Sequence, residues 1–178
     1  AAARTGPGWQ RDALKNYGEG ALVLLETLAV NLATTGVVKL AVRRPRPLVY
    51  DAAVPDDERR EPDSALSFFS GHSSTTFAMA TAYSTLLTLR HPDLPGLYVP
   101  IWVASEGIAL STALLRVEAG KHFYTDILTG ALVGAAIGVA VPLLHRRTAQ
   151  LRIDGQALRL TPLVFPGGGG LALISRNR

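Results

Sequence analysis

Basic residues at the end of the first apolar segment could bind an anion. Lys39 is followed after six residues by Arg46, and Pro45 and Pro47 stand on either side of that arginine. A proline disfavours helical geometry in the residue before it, so we expect Lys39 in the last turns of a helix and Arg46 in extended chain just beyond. Taken alone, two cations there are also typical of a helix cap or of a contact with lipid headgroups.

A second group of polar residues, Ser70-Gly71-His72, precedes the next apolar segment. Ser70 is a typical N-cap residue, and the free N–H groups of a first helical turn can bind an anion. Gly71 would let the backbone approach that anion closely, and His72 would place beside it an imidazole able to donate a proton. Taken alone, this pattern is more typical of an ordinary helix cap with a solvated histidine.

A third group consists of Arg116, His122 and Asp126. Because His122 and Asp126 are four residues apart, the spacing predicts that they lie one above the other on a helix face. A carboxylate in that position can hold one ring nitrogen and direct the other towards a substrate, as an orienting acid does for a nucleophile or base. A structural ion pair at the start of a helix fits the same spacing.

The elements that must position these groups are four apolar segments, at about residues 20–42, 73–89, 97–115 and 127–144. Each approaches the roughly 20 residues that a bilayer crossing needs. If each segment is a helix that crosses once, all three polar groups meet at one end of an up-and-down bundle. The predicted fold class is therefore all-α, a transmembrane helical bundle, with a soluble bundle of buried helices as the alternative.

Two further patterns refine the predicted fold. Gly130, Gly134 and Gly138 recur every fourth residue, which predicts a helix face that another backbone approaches closely. Polar and apolar residues alternate on both sides of Asp154-Gly155, which predicts a small β-hairpin appendage. We thus expect a helical domain over residues 1–147 and a short β-rich tail over 148–178. The sequence begins with Ala, which leaves room for helices upstream of residue 1.

Composition excludes several classes of protein. The 178 residues carry a net charge of +4, include no Cys and are 48% hydrophobic. These values exclude a disordered chain, a disulfide scaffold, thiolate metal sites and a cysteine nucleophile. Although the basic residues are mostly Arg, no basic stripe is interleaved with aromatic residues, so we expect no nucleic acid partner.

Together, the three polar groups resemble the motifs of the type 2 phosphatidic acid phosphatase (lipid phosphate phosphatase) superfamily. Vanadium haloperoxidases and soluble bacterial acid phosphatases share this site. The family pattern is Lys-x6-Arg-Pro, then Pro-Ser-Gly-His, then Ser-Arg-x5-His-x3-Asp, and the matching residues lie between Lys39 and Asp126. There are two departures. Phe69 stands in place of Pro, and Leu115 stands in place of Ser, which removes one potential hydrogen bond to a phosphate.

The resemblance implies a phosphatase that hydrolyses a lipid phosphate or diphosphate through a phosphohistidine. It implies that His122 attacks phosphorus, that Asp126 fixes the tautomer of His122, and that His72 protonates the leaving group. The phosphate-binding residues would be Lys39, Arg46, Ser70, Gly71 and Arg116. No metal and no cofactor are expected, because Arg and Lys supply the positive charge. The expected partners are the lipid phosphate substrate and membrane lipids.

Two other functions stay open from the sequence. One is a vanadate-dependent haloperoxidase, and the other is a catalytically weak membrane module that binds lipid phosphates. Basic residues are slightly more numerous at the end of the bundle away from the three motifs. By the positive-inside tendency, we expect a multi-pass protein of a bacterial-type inner membrane with its active site facing outward. The acidic loop at residues 51–63 is expected to gate substrate entry.

Overall fold

The computed structural model describes the backbone of residues 7–145, 150–153, 156–165 and 168–175, and the side chains of residues 17–145. The chain divides into two units, Ala1–Leu143 and Leu144–Arg178; the predicted boundary lies between residues 147 and 148. The helices are α1 (Pro7–Val42), α2 (Asp56–Arg59), α3 (Gly71–Arg90), α4 (Pro95–Glu118) and α5 (Tyr124–His145). Two short 3-10 turns, Pro47–Tyr50 and Pro62–Ala65, lie between α1 and α3.

Three stretches are long and apolar enough to cross a membrane: Tyr17–Tyr50, Pro95–Glu118 and Tyr124–His145. Large apolar side chains such as Leu22, Val103 and Leu132 are exposed on them, as expected where lipid is the surrounding medium. The predicted helical bundle is thereby confirmed. Four membrane-spanning segments are expected from the sequence. The second of them, α3, is not among the three stretches that are apolar enough to cross a membrane.

Helix α3 owes its lower hydropathy to serines and threonines that face neighbouring helices. On the α1 side, Asn31 donates from its amide nitrogen to Thr75 Oγ1 at 3.0 Å, and the Thr35 and Ser74 hydroxyls lie 3.1 Å apart. On the α4 side, Thr81 donates to Glu106 Oε1 at 2.8 Å. Hydrogen bonds of this kind hold polar side chains between helices.

Helix α5 packs against α3 through glycine. A Cβ added at Gly130 would lie 2.7 Å from the Ser70 carbonyl oxygen, and one at Gly138 would lie 2.6 Å from the Ala78 carbonyl oxygen. At Gly134 the clash with the Ser74 backbone would be closer still. The predicted small-residue face is therefore confirmed, and α3 lies among α1, α4 and α5.

The segment of residues 43–70, between α1 and α3, is attached to the rest of the bundle by its main chain. Leu48 N–H donates to Gly120 O and Ser70 N–H donates to Asp126 O, both at 3.1 Å. Within the segment, Ser67 N–H donates to Arg44 O and Arg46 N–H donates to Ser64 O, both at 2.8 Å. Gly120 has φ +63°, a left-handed conformation that favours glycine. The segment is thereby fixed to the α4–α5 connection and to the start of α5.

The second unit contains an antiparallel sheet of β1 (Gln150–Ile153), β2 (Gln156–Phe165) and β3 (Gly168–Ser175) in the order β1-β2-β3. Ile153 pairs with Gln156, which is the register of the hairpin expected from the sequence. A third strand extends it. The predicted turn residues Asp154 and Gly155 lie outside the described residues.

Candidate active site

The N-terminus of α3 is capped as its sequence indicates. Ser70 is fully buried, and its Oγ accepts hydrogen bonds from the Ser73 amide at 3.3 Å and from the Ser73 hydroxyl at 3.0 Å. A Cβ at Gly71 would lie 3.8 Å from Lys39 Cε. The last turn of α1 therefore lies directly against the first turn of α3.

Three cations predicted to bind an anion lie at this end of the bundle. Lys39, in the last turn of α1, donates from Nζ to the Leu66 carbonyl oxygen at 2.8 Å. Arg46 is extended, with φ −74° and ψ 157°, and its buried guanidinium pairs with Asp63 at 2.5 Å. Arg116 lies in the last turn of α4.

Two of these guanidinium groups have unused donors. The Nε atoms of Arg46 and Arg116 are buried and have no hydrogen-bond partner among the described residues. A buried donor without an acceptor costs about 1–3 kcal/mol, and a phosphoryl group would supply acceptors of the required geometry.

Both histidines lie within the field of these cations. The charges of Lys39, Arg46 and Arg116 act on the exposed ring of His72 and on the buried ring of His122. The structure therefore brings together residues from four helix ends that are far apart in the sequence. In the described part of the chain, no group of three or more His, Cys, Asp or Glu could hold a metal ion.

The predicted stacking of His122 and Asp126 on one helix face is wrong. Helix α5 begins at Tyr124, so His122 precedes it, whereas Asp126 lies in its first turn. Asp126 Oδ2 accepts the Phe123 N–H at 2.9 Å, as the acidic residue of a capping box does. This bond makes Phe123 the cap of the helix. His122 therefore lies before the cap and Asp126 lies after it, inside α5. His122 Nδ1 is 3.7 Å from Asp126 Oδ2, too far for a hydrogen bond.

Two residues outside the predicted motifs hold Asp126. The carboxylate is fully buried; Arg44 Nη1 donates to its Oδ1 at 2.8 Å, and Ser67 Oγ donates to its Oδ2 at 2.5 Å. The Arg44 guanidinium also lies 4.1 Å from the centre of the Phe123 ring. Arg44 could have been suspected from its place beside the Pro45-Arg46-Pro47 motif, whereas a single serine such as Ser67 has no pattern that distinguishes it.

Burial determines the protonation state of His122. Only 1% of the residue is exposed. Burial, reinforced by the charges of Arg46, Lys39 and Arg116, lowers the pKa of His122 to about 4, although Asp126 acts in the opposite direction. The imidazole is therefore neutral at physiological pH, which is the form that a nucleophile requires.

The two departures from the family pattern differ in their surroundings. Phe69 is buried and packs edge-on against Phe68, with ring centres 6.1 Å apart. Leu115 is 61% exposed. Ser111, one turn earlier, donates its hydroxyl to the Gly107 carbonyl oxygen of its own helix at 2.9 Å, so it does not replace the missing serine.

Comparison with known proteins agrees with the motifs. The family model of the PAP2 superfamily matches residues 20–149. A crystal structure of a transmembrane PAP2-type phosphatidylglycerolphosphate phosphatase from Bacillus subtilis is similar in fold, with a TM-score of 0.59 and 24% sequence identity. The match covers 74% of this chain and 61% of that one, so this chain spans less than two thirds of its structural neighbour. From the extent of the family match, the chain belongs to the PAP2 superfamily.

Proposed function

We propose that this chain is a membrane phosphatase that hydrolyses a phosphate monoester or diphosphate on a lipid. The observation that carries the proposal is the pair of buried Nε donors on Arg46 and Arg116, two of the cations whose charges act on both histidines. Family membership and three helices of membrane-spanning length support it. The Bacillus subtilis neighbour is named for a phospholipid phosphate, which favours a substrate of that class.

The phosphate group would be held by side chains and by the start of α3. Lys39, Arg46 and Arg116 supply positive charge, and the Gly71 N–H belongs to the first turn of a helix, where amide groups point at an anion. Ser70 Oγ accepts two hydrogen bonds, so its own hydrogen is available to a phosphate oxygen. Asp63 pairs with Arg46 Nη2, so its carboxylate would compete with a phosphate for this guanidinium.

The reaction would proceed in two displacements. In the first, the neutral His122 ring attacks phosphorus with its Nε2 lone pair, the bond to the leaving oxygen breaks, and His72 gives that oxygen a proton. In the second, water attacks the phosphohistidine, His72 accepts the water proton, and His122 leaves with its lone pair restored. The fixed cations stabilise the charge that spreads over the phosphoryl oxygens in both transition states.

The position of the cluster at the helix ends suits a lipid substrate. The acyl or prenyl chains can stay in the bilayer while the phosphate reaches the cations at the interface. We include in the proposal a multi-pass topology in a bacterial-type inner membrane, with the cluster on the outer side.

Phosphate release from detergent-purified protein tests this function. The substrates are phosphatidic acid, phosphatidylglycerolphosphate and a polyprenyl diphosphate. We expect release from at least one lipid, its loss in His122→Ala, and normal release in His91→Ala. His91 is exposed in the α3–α4 connection and is the matched control. Substantial turnover by folded His122→Ala would contradict the histidine nucleophile.

The same preparation separates the two other candidate functions. Oxidation of bromide in the presence of vanadate and peroxide, without phosphate release, would identify a haloperoxidase. Binding of lipid phosphates without release would identify a binding module.

A further inference from the structure

The hydrogen-bonded connection between Asp126 and His122 passes through a serine hydroxyl. Ser67 Oγ lies 2.5 Å from Asp126 Oδ2 and 3.4 Å from His122 Nδ1. The direct distance between Nδ1 and Oδ2 is 3.7 Å. All three side chains are buried, Ser67 and Asp126 completely, so no bulk water competes with this connection.

The single hydrogen of the Ser67 hydroxyl determines the direction of the hydrogen bonds that join Asp126, Ser67 and His122. A serine hydroxyl has one hydrogen to donate and two lone pairs that can accept. At 2.5 Å from a carboxylate, that hydrogen belongs to the bond with Asp126. Towards His122, Ser67 Oγ can then only accept, so the hydrogen of the neutral imidazole lies on Nδ1 and the lone pair lies on Nε2.

Ser67 is itself held firmly in place. Its amide donates to the Arg44 carbonyl oxygen at 2.8 Å, while the Arg44 guanidinium occupies the other carboxylate oxygen of Asp126. The amide of Phe123 also donates to Asp126 Oδ2. These donors leave the carboxylate little freedom to rotate towards the imidazole.

We propose that Ser67 is a positioning residue that links Asp126 to His122 and fixes the His122 tautomer with its lone pair on Nε2. Asp126 then acts on the histidine through Ser67. This inference rests on the proposed function for its catalytic consequence, because a nucleophile at Nε2 is needed only if His122 attacks phosphorus.

Steady-state and rapid-quench kinetics test the catalytic consequence. We expect Ser67→Ala to lower kcat and the rate of phosphohistidine formation by about 100-fold, with KM changed little because Ser67 is not one of the proposed phosphate-binding residues. Ser84→Ala is the matched control: Ser84 is also a fully buried serine, but its hydroxyl pairs with Ser105 between α3 and α4. Equal kcat in Ser67→Ala and wild type would overturn the proposal.

A double-mutant cycle tests whether Asp126 acts through Ser67. The variants are Ser67→Ala, Asp126→Asn and the combination of both. If the carboxylate acts through the hydroxyl, the double variant is no slower than the slower single variant. Effects that multiply would show that the two residues act independently and would overturn the link.

Imidazole ¹⁵N NMR tests the tautomer without any turnover. The His122 resonances are assigned by their loss in His122→Gln. At neutral pH we expect a protonated Nδ1 in wild type and a shift towards the other tautomer in Ser67→Ala. The same tautomer in both proteins would overturn the assignment to Ser67. Absence of phosphate release with the expected spectra would reject the proposed function and leave the tautomer assignment standing.

Discussion

At the scale of single residues, the enclosure of His122 makes the pH dependence of the first chemical step unusual. A histidine of ordinary pKa is largely protonated below about pH 6. Since burial lowers the pKa of His122 to about 4, its imidazole stays neutral as the pH falls through 6.5. We therefore expect phosphohistidine formation to continue at about pH 5.5 and to decline only as the pH approaches the lowered pKa.

Rapid quenching of phosphohistidine with a short-chain lipid phosphate measures this profile. The first step must be observed directly, because the second step has its own pH dependence. A midpoint near the ordinary histidine value would contradict the effect of burial.

The ion pair between Asp63 and Arg46 leads to a second expectation. Asp63 is well exposed, whereas Arg46 is buried, so the carboxylate occupies a guanidinium that we assign to the phosphate. Replacing Asp63 with Asn removes the competing charge. We expect Asp63→Asn to lower the inhibition constant for orthovanadate, a tetrahedral phosphate analogue, by about 3- to 10-fold.

The control is Asp57→Asn, which removes the same charge from an exposed position in α2, within the same segment of residues 43–70. It should leave the inhibition constant nearly unchanged. Equal effects in both variants would mean that only the net charge of the loop matters, and the specific competition would be rejected.

The residues with distinctive types and spacings could be predicted from the sequence. Lys39, Arg46 and Arg116 are cations at the ends of apolar segments, and in the structure their charges act on both histidines; their role in binding a phosphate stays a prediction. Ser67 and Arg44 could not be assigned in the same way. Their importance comes from contacts with Asp126, which lies far away in sequence, and no local pattern encodes such contacts.

At the scale of helices, the glycine face of α5 sets how closely α5 approaches α3. An alanine at Gly134 would place its methyl group against the Ser74 backbone, which cannot move without shifting the helix. We expect Gly134→Ala to destabilise the fold by about 1–3 kcal/mol and to lower the melting temperature in detergent. Activity should fall with it, because the same packing positions Asp126 and Ser70.

Gly107 of α4 supplies a matched control. A Cβ at Gly107 would meet no atom within 4 Å, and alanine favours a helix over glycine by about 1 kcal/mol. Gly107→Ala should therefore leave the melting temperature unchanged or raise it slightly. Similar losses in both variants would contradict the role of close packing.

The positions of the helices could be predicted, but their ends could be predicted only in part. Prolines and the Ser70 cap correctly indicated the end of α1 and the start of α3. The start of α5 cannot be read from the sequence in this way, because its cap is a hydrogen bond from the Phe123 amide to the Asp126 side chain. The segment between α1 and α3 has no periodic pattern, so its path follows from tertiary contacts alone.

At the scale of the whole molecule, the absence of cysteine makes the proposed orientation directly measurable. Asp51 lies in the loop before α3, and Asp93 lies in the connection after α3; both are exposed. We expect a membrane-impermeant maleimide to label Asp51→Cys but not Asp93→Cys in intact bacterial cells. Both thiols should react after the membrane is permeabilised, which is the control for accessibility.

Labelling of Asp93→Cys alone would reverse the proposed orientation. Labelling of both positions in intact cells would contradict a bundle that crosses the bilayer between them. The general architecture could be predicted because the length and apolar composition of a segment are enough to identify it as a candidate membrane-spanning helix. The direction of insertion could be expected only from a small difference in the number of basic residues.

The loop at residues 43–70 is fastened by amide and carbonyl groups, which every residue type except proline provides in full. Its mostly exposed stretch at residues 51–57 can therefore change in sequence while the main-chain hydrogen bonds of Leu48 and Ser70 to Gly120 and Asp126 stay in place. A library randomised over those seven positions therefore tests whether this stretch affects the choice among the proposed lipid phosphates.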